Sequence, residues 1–160
     1  MRNITVLCVG KLKEGYLREA CAEYAKRLGG FCRLSVVEVE EERAPDNPSP
    51  AQIEGILRAE GKRLLARVPQ GAALIALCIE GKEMDSPCFA RLFDRLAIGG
   101  VNGTALVIGG SFGLSEEVKA AAKYRLSLSP MTFPHQLARV LLLEQIYRAM
   151  QILSGGKYHK

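Results

Sequence analysis

The sequence predicts an α/β protein: a parallel sheet with flanking helices. Three observations carry this. Five short apolar or β-branched runs alternate with stretches of helical periodicity along the chain. The runs are apolar almost throughout, as strands covered on both faces are. The segments between them are long enough to hold crossover helices. At 160 residues, 48% hydrophobic and 24% charged, one domain spanning 1–160 is expected, with a core that needs no staples.

The elements follow in order. Residues 4–9, ITVLCV, form a buried strand ended by Gly10. Residues 13–28 place Tyr16, Leu17, Ala20, Cys21, Tyr24 and Leu28 on one helical stripe, stopped by Gly29-Gly30. A second strand spans 34–39. Residues 40–50 carry charge and Pro45, Pro48 and Pro50, so they form an exposed loop, either a connector or a mobile flap. A helix over 51–67 points Ile53, Ile56, Leu57, Leu64 and Leu65 to the core, and Pro69 and Gly71 end it. Residues 73–79, ALIALCI, predict a central strand broken by Gly81. Pro87 opens a helix over 87–97 at its first position. A turn over 99–103 leads to a strand over 104–108. A short helix over 115–124, a strand over 125–129 and a tight loop from Pro130 to Pro134 come next. A long helix from His135 to Leu153 precedes the tail SGGKYHK.

Composition excludes several classes. No apolar run approaches a membrane span, and no apolar stretch suited to a secretory signal follows Arg2. The expected location is the cytoplasm. The five cysteines, Cys8, Cys21, Cys32, Cys78 and Cys88, form no C-x-x-C pair and are expected as buried, reduced thiols. Both histidines lie far from them in sequence, so no metal site is expected. The net charge of +5 is concentrated in residues 123–160, where six basic residues face Glu144 alone. That patch favours an anionic partner such as RNA.

The segment LVIGGSFGLSEEVK, residues 106–119, resembles a phosphate-binding turn and is not one. It has neither the spacing of a dinucleotide fingerprint nor the lysine of a P-loop. Glu116 and Glu117 already occupy the positive end of the helix dipole, where they repel phosphate. Ser115 reads as a plain N-cap. The glycines fit either close backbone approach to a ligand without phosphate or a tight turn.

The densest stretch is 127–153. Ser127 to Pro134 leaves a strand and enters a helix through two prolines four residues apart. This stiff loop has backbone groups suited to a flat heterocycle, with Leu128, Met131 and Phe133 as apolar walls. The helix after it is apolar on nearly every side, which predicts burial on two sides and a homodimer interface on the second. His135 and Arg139, and Glu144 and Arg148, are spaced i, i+4. The loops after Ile79, Ile108 and Ser129 are the expected ligand sites, since such sheets bind ligands beyond the carboxyl ends of strands.

IGGSFGLS, LSLSPMTFPHQLARVLLLEQIYRA and the terminal KYHK, with VGKLKEGYLREACAEYAKRL and ERAPDNPS, resemble the ribosomal RNA large subunit methyltransferase H family of the SPOUT class. The resemblance covers the whole chain. It implies a C-terminal trefoil knot, which periodicity cannot reveal. It implies an enzyme that uses S-adenosyl-L-methionine to methylate N3 of a pseudouridine in 23S rRNA on the assembled ribosome. Donor contacts map to Leu77, Gly109, Leu128, Ser129, Pro130, Met131, Thr132 and Phe133. His135, Arg139, Tyr158 and His159 become the catalytic candidates, with Arg139 also a candidate RNA contact. Arg148 and Lys157 are the other candidate RNA contacts. The tail is expected to reach the partner subunit's donor site. The rival readings are a methyltransferase for ribose 2′-OH or transfer RNA, and a dimeric nucleotide-binding module.

Overall fold

The computed structural model describes residues 1–160. Its strands are β1 (Arg2–Val9), β2 (Cys32–Val39), β3 (Ala73–Glu83), β4 (Thr104–Ile108) and β5 (Tyr124–Ser127). Its helices are α1 (Gly15–Leu28), α2 (Pro50–Ala66), α3 (Ser86–Ile98), α4 (Glu116–Ala121) and α5 (His135–Leu153). The five strands form one sheet in the order β2-β1-β4-β3-β5, with every pairing parallel. This order and the course of α5 fit the knotted threading that the resemblance implies.

The two-residue period of the strands divides the apolar side chains between two cores. Ile4, Val6, Cys8, Ile75, Leu77, Leu106 and Ile108 face α1, α3 and α5. Leu7, Val9, Leu74, Ala76, Ala105 and Val107 face the other way, with Leu64 of α2 and Val118 of α4. β4 is buried at all five positions. It takes the middle of the sheet. β3, expected as a central strand, is interior beside it, paired with β4 on one side and with the short edge strand β5 on the other.

β3 does not break at Gly81. It runs on to Glu83, but its pairing with β5 slips: Leu77 and Lys82 both stand opposite Leu126. Residues 78–81 are a detour between them. Gly81 lets the neighbouring strand approach, since a Cβ there would lie 2.6 Å from the Leu126 carbonyl carbon. The glycine is therefore a packing requirement and not a stop.

Other boundaries move for local reasons. Asp85 caps α3 by accepting from the Cys88 N–H at 2.8 Å, so Pro87 is the second helical residue. Ser49 and Gln52 make a reciprocal capping box ahead of Pro50. Ser115 caps α4 as expected, but α4 ends at Ala121. Tyr16 points to solvent, and α1 buries Leu17 and Leu28. All five cysteines are free; Cys8 and Cys32 are buried, and the other three are half-buried.

The cover over α5 also differs from expectation. α1 and α3 flank it within the same chain. Tyr147 packs against Tyr24 and Phe31 at 6.3 and 6.0 Å between ring centroids. The chain's own helices thus supply most of the second burial that the sequence assigned to a partner. Leu137 remains exposed, and Val140 and Leu141 are half-buried.

The 40–50 loop is pinned at its start. The Glu42 N–H donates to Glu60 at 3.0 Å, and Arg63 donates to the Glu40 carbonyl at 3.0 Å and pairs with Glu42. Glu60 is buried within α2 and has one carboxylate oxygen without a partner, so burial raises its pKa.

Candidate functional site

The carboxyl ends of β3, β4 and β5 open into a cleft of about 700 Å³. It is lined by the loops after β4 and β5 and, from β3, by residues 77–80 at the detour within the strand, where the sequence predicts a loop after Ile79. Leu77, Gly109, Leu128, Ser129, Met131, Thr132 and Phe133 line it; Pro130 is exposed and does not. A second cavity, about 350 Å³, lies at the opposite end of the sheet near Arg2 and Gly103 and holds none of the candidate residues.

The loop from β5 to α5 is held in shape by its own side chains. The Ser127 hydroxyl donates to the Ser129 carbonyl at 3.0 Å, and the Ser129 hydroxyl accepts from the Met131 N–H at 3.0 Å. Such short-range bonds fix the backbone before any ligand arrives. The glycine loop is closed on itself. The Gly113 N–H donates to the Gly110 carbonyl at 3.1 Å, and Gly113 has a φ of +89°. A Cβ on Gly109 would lie 2.3 Å from the Gly113 carbonyl oxygen. Gly109 is thus required first by the turn; the open wall it gives the cleft is a consequence.

His135 lies at the cleft edge as the first residue of α5 and is half-buried. Burial pushes its imidazole below the ordinary histidine value; Glu41 opposes the shift and Arg139 adds to it. The ring is therefore neutral at neutral pH and has a lone pair to offer. Cys78 also lines the cleft, but burial raises its pKa and keeps it a thiol. Cys8, beneath the sheet ends, is pushed up to about 12 by the same cause.

Arg139 is not a surface cation. It is 4% exposed, donates to Glu38 at 2.7 Å and to the Gly10 carbonyl at 3.1 Å, and makes no bond to His135. The expected RNA contact is replaced by a tie between α5, β2 and the end of β1. A guanidinium so buried and so paired has no face to give a phosphate.

Glu144 and Arg148 do pair, at 2.6 Å, and the tail folds onto them. The Tyr158 hydroxyl donates to Glu144 at 3.2 Å, and its ring stands 4.7 Å from the Arg148 guanidinium. Arg148 also meets Nδ1 of His159 at 3.3 Å. A guanidinium can only donate, so Nδ1 accepts in this contact. Lys157 is exposed beside them. Arg148 lies 13 positions after His135 along the helix, about 20 Å at the usual helical rise. Within one chain the catalytic candidates therefore form two groups. Lys119 and Glu80, which also line the cleft, gave no signal in the sequence: one reads as a helix-surface lysine, the other as the end of a strand.

A strand-end cleft walled by a proline loop and a closed glycine turn, on a parallel sheet, belongs here to a methyltransferase of the SPOUT class, as the family match shows. The family model described as "Predicted SPOUT methyltransferase" matches residues 2–159. Two proteins called ribosomal RNA large subunit methyltransferase H match almost end to end. The Clostridium novyi protein is 52% identical over 99% of both chains, and that of Carboxydothermus hydrogenoformans is 48% identical over 99% of both. The chain belongs to the ribosomal RNA large subunit methyltransferase H family. A probable methyltransferase from Bordetella pertussis shares the fold, with a TM-score of 0.57 at 16% identity over 93% of this chain and 95% of its own. A probable methylase family protein from Haemophilus influenzae does so at 0.56 and 14%, over 99% of this chain and 71% of its own. No helix is long and apolar enough to cross a membrane.

Proposed function

We propose that this methyltransferase takes its methyl group from S-adenosyl-L-methionine and delivers it to N3 of a pseudouridine in 23S rRNA, on the assembled ribosome, as a cytoplasmic homodimer of single-domain subunits. The observation that carries the reading is the cleft: three segments distant in sequence converge on one volume. Its walls suit the donor. Leu77, Leu128 and Phe133 offer apolar surface for a flat base, and the self-bonded loop offers fixed backbone groups. Glu116 and Glu117 at the start of α4 oppose a phosphate and do not oppose a sulfonium. When bound, the donor supplies an electrophilic methyl carbon.

The chain's own residues do the rest. Leu77, Gly109, Leu128, Ser129, Met131, Thr132 and Phe133 hold the donor in place, so catalysis is largely positioning. His135, neutral and at the cleft edge, accepts the proton from N3–H and leaves the nitrogen lone pair free to react. Arg139 positions α5 under His135 through Glu38 and Gly10. Arg148 and Lys157 meet RNA phosphate, and the basic C-terminal region adds a salt-sensitive attraction.

The homodimer follows from two features. Ile79, Phe112 and Met131 are exposed apolar residues that all border the cleft, and exposed Leu137 follows in the first turn of α5. They are four of the chain's eight exposed large apolar residues, and such clustering marks a contact surface. The separation of Tyr158 and His159 from His135 within one chain supports the second step: the tail of one subunit reaches the cleft of the other. Mass spectrometry of 23S rRNA from cells lacking the gene tests the reading. One pseudouridine should lose a methyl group and regain it when ribosomes are incubated with the protein and the donor. A methyl group missing instead from a ribose or from transfer RNA overturns it.

A further inference from the structure

The cleft contains one ion pair that none of the roles above uses. Lys119, from α4, reaches Glu80 at 2.5 Å, and both line the cleft. The Lys119 side chain is only 15% exposed, low for a lysine and tolerated because it is paired. Glu116 stands 3.7 Å from it on the outer side. Glu80 is there because of the detour in β3. Residues 78–81 leave the ladder to β5 between the two residues facing Leu126. Bulges of this kind give up ladder bonds and re-aim a side chain, often beside an active site.

We propose that Glu80 and Lys119 form the subsite for the amino-acid end of the methyl donor, Glu80 receiving its ammonium and Lys119 its carboxylate. The inference rests on S-adenosyl-L-methionine being the donor. An α-amino acid has opposite charges on one carbon. Adjacent opposite charges on the protein match that arrangement, and each group exchanges one ionic partner for another on binding. Partial burial of Lys119 strengthens the interaction over its value in open water. The apolar walls at Leu77 and Leu128 then serve the nucleoside end, so the two halves of the donor meet chemically different parts of one cleft.

Calorimetry with two probes tests this. S-adenosylhomocysteine has the nucleoside, the thioether and the amino-acid end; 5′-methylthioadenosine lacks the last. The native protein should bind the first at least about tenfold more tightly, the usual worth of charge-assisted hydrogen bonds. Lys119→Met and Glu80→Gln should each reduce that preference severalfold or more while leaving methylthioadenosine affinity unchanged. Thermal melting of each variant checks that the fold persists, and Glu80→Gln keeps the shape of the side chain. If both variants keep the native preference, or if both probes weaken equally, the subsite is wrong and the pair is structural. If the native protein binds neither probe, the donor assignment itself fails, and the subsite fails with it.

Discussion

The two ends of α5 hold the same kinds of side chain in different ways. At the first turn, His135 borders a cleft whose shape is fixed by backbone bonds and by a glycine turn closed on itself. From its middle onward, Glu144 and Arg148, with Tyr158 and His159 of the tail, are held by side-chain contacts in partly exposed positions. The first arrangement is built into the chain path. The second can exchange partners at little cost, because partly exposed ion pairs are weak and screened by salt. A rigid donor end and an exchangeable tail end suit an enzyme that must hold a small molecule and also adjust to a large RNA.

The largest expected effect tests the chemistry at the first end. His135→Gln should lower single-turnover methyl transfer on ribosomes about 100-fold or more, as loss of a general base does, with donor affinity little changed. Unchanged transfer would move the base to the tail and reverse the comparison. Gly109→Ala should weaken donor binding roughly 100-fold, since the new methyl group forces open the contact with Gly113. Calorimetry reads this directly; tail substitutions should leave the same measurement untouched. Arg139→Met should cost about 2–3 kcal/mol in urea unfolding, because Glu38 and the Gly10 carbonyl lose their donor.

The pH response is smaller, and its sign is fixed. The folded state takes up the His135 proton at lower pH than the unfolded chain does, so the unfolded state binds more protons between the two values. Stability contributed by the neutral ring is present above the ordinary histidine value and is lost as pH falls toward the folded one. Glu60 runs the other way: its raised pKa means that stability falls as pH climbs from the ordinary carboxyl value through the folded one. Glu60→Gln should therefore raise the melting temperature at pH 7 and do so less at pH 4. An equal gain at both pH values would remove the burial explanation.

The order of elements was legible because period and punctuation agree along this chain. β4 and α5 fall where their apolar patterns begin and end. What escaped was set by distant partners. Gly81 looks like a stop until Leu126 is beside it. Arg139 looks like a surface cation until Glu38, 101 positions away in sequence, meets it. Ser127 to Pro134 could be recognised as a pocket wall, because two prolines and two serines shape that loop locally. Glu80 and Lys119 could not, since a slip in strand pairing and a short helix bring them together.

The place of β1 in the sheet has a consequence for biosynthesis. One edge of β1 pairs with β2, which follows within 40 residues, but its other edge waits for Thr104–Ile108. While the chain is being made, β1 presents an open, apolar, parallel edge until two-thirds of the sequence has emerged. Sheets closed by such late partners fold slowly and are exposed to aggregation on the way. The nascent chain thus carries an unpaired, aggregation-prone edge until β4 is available.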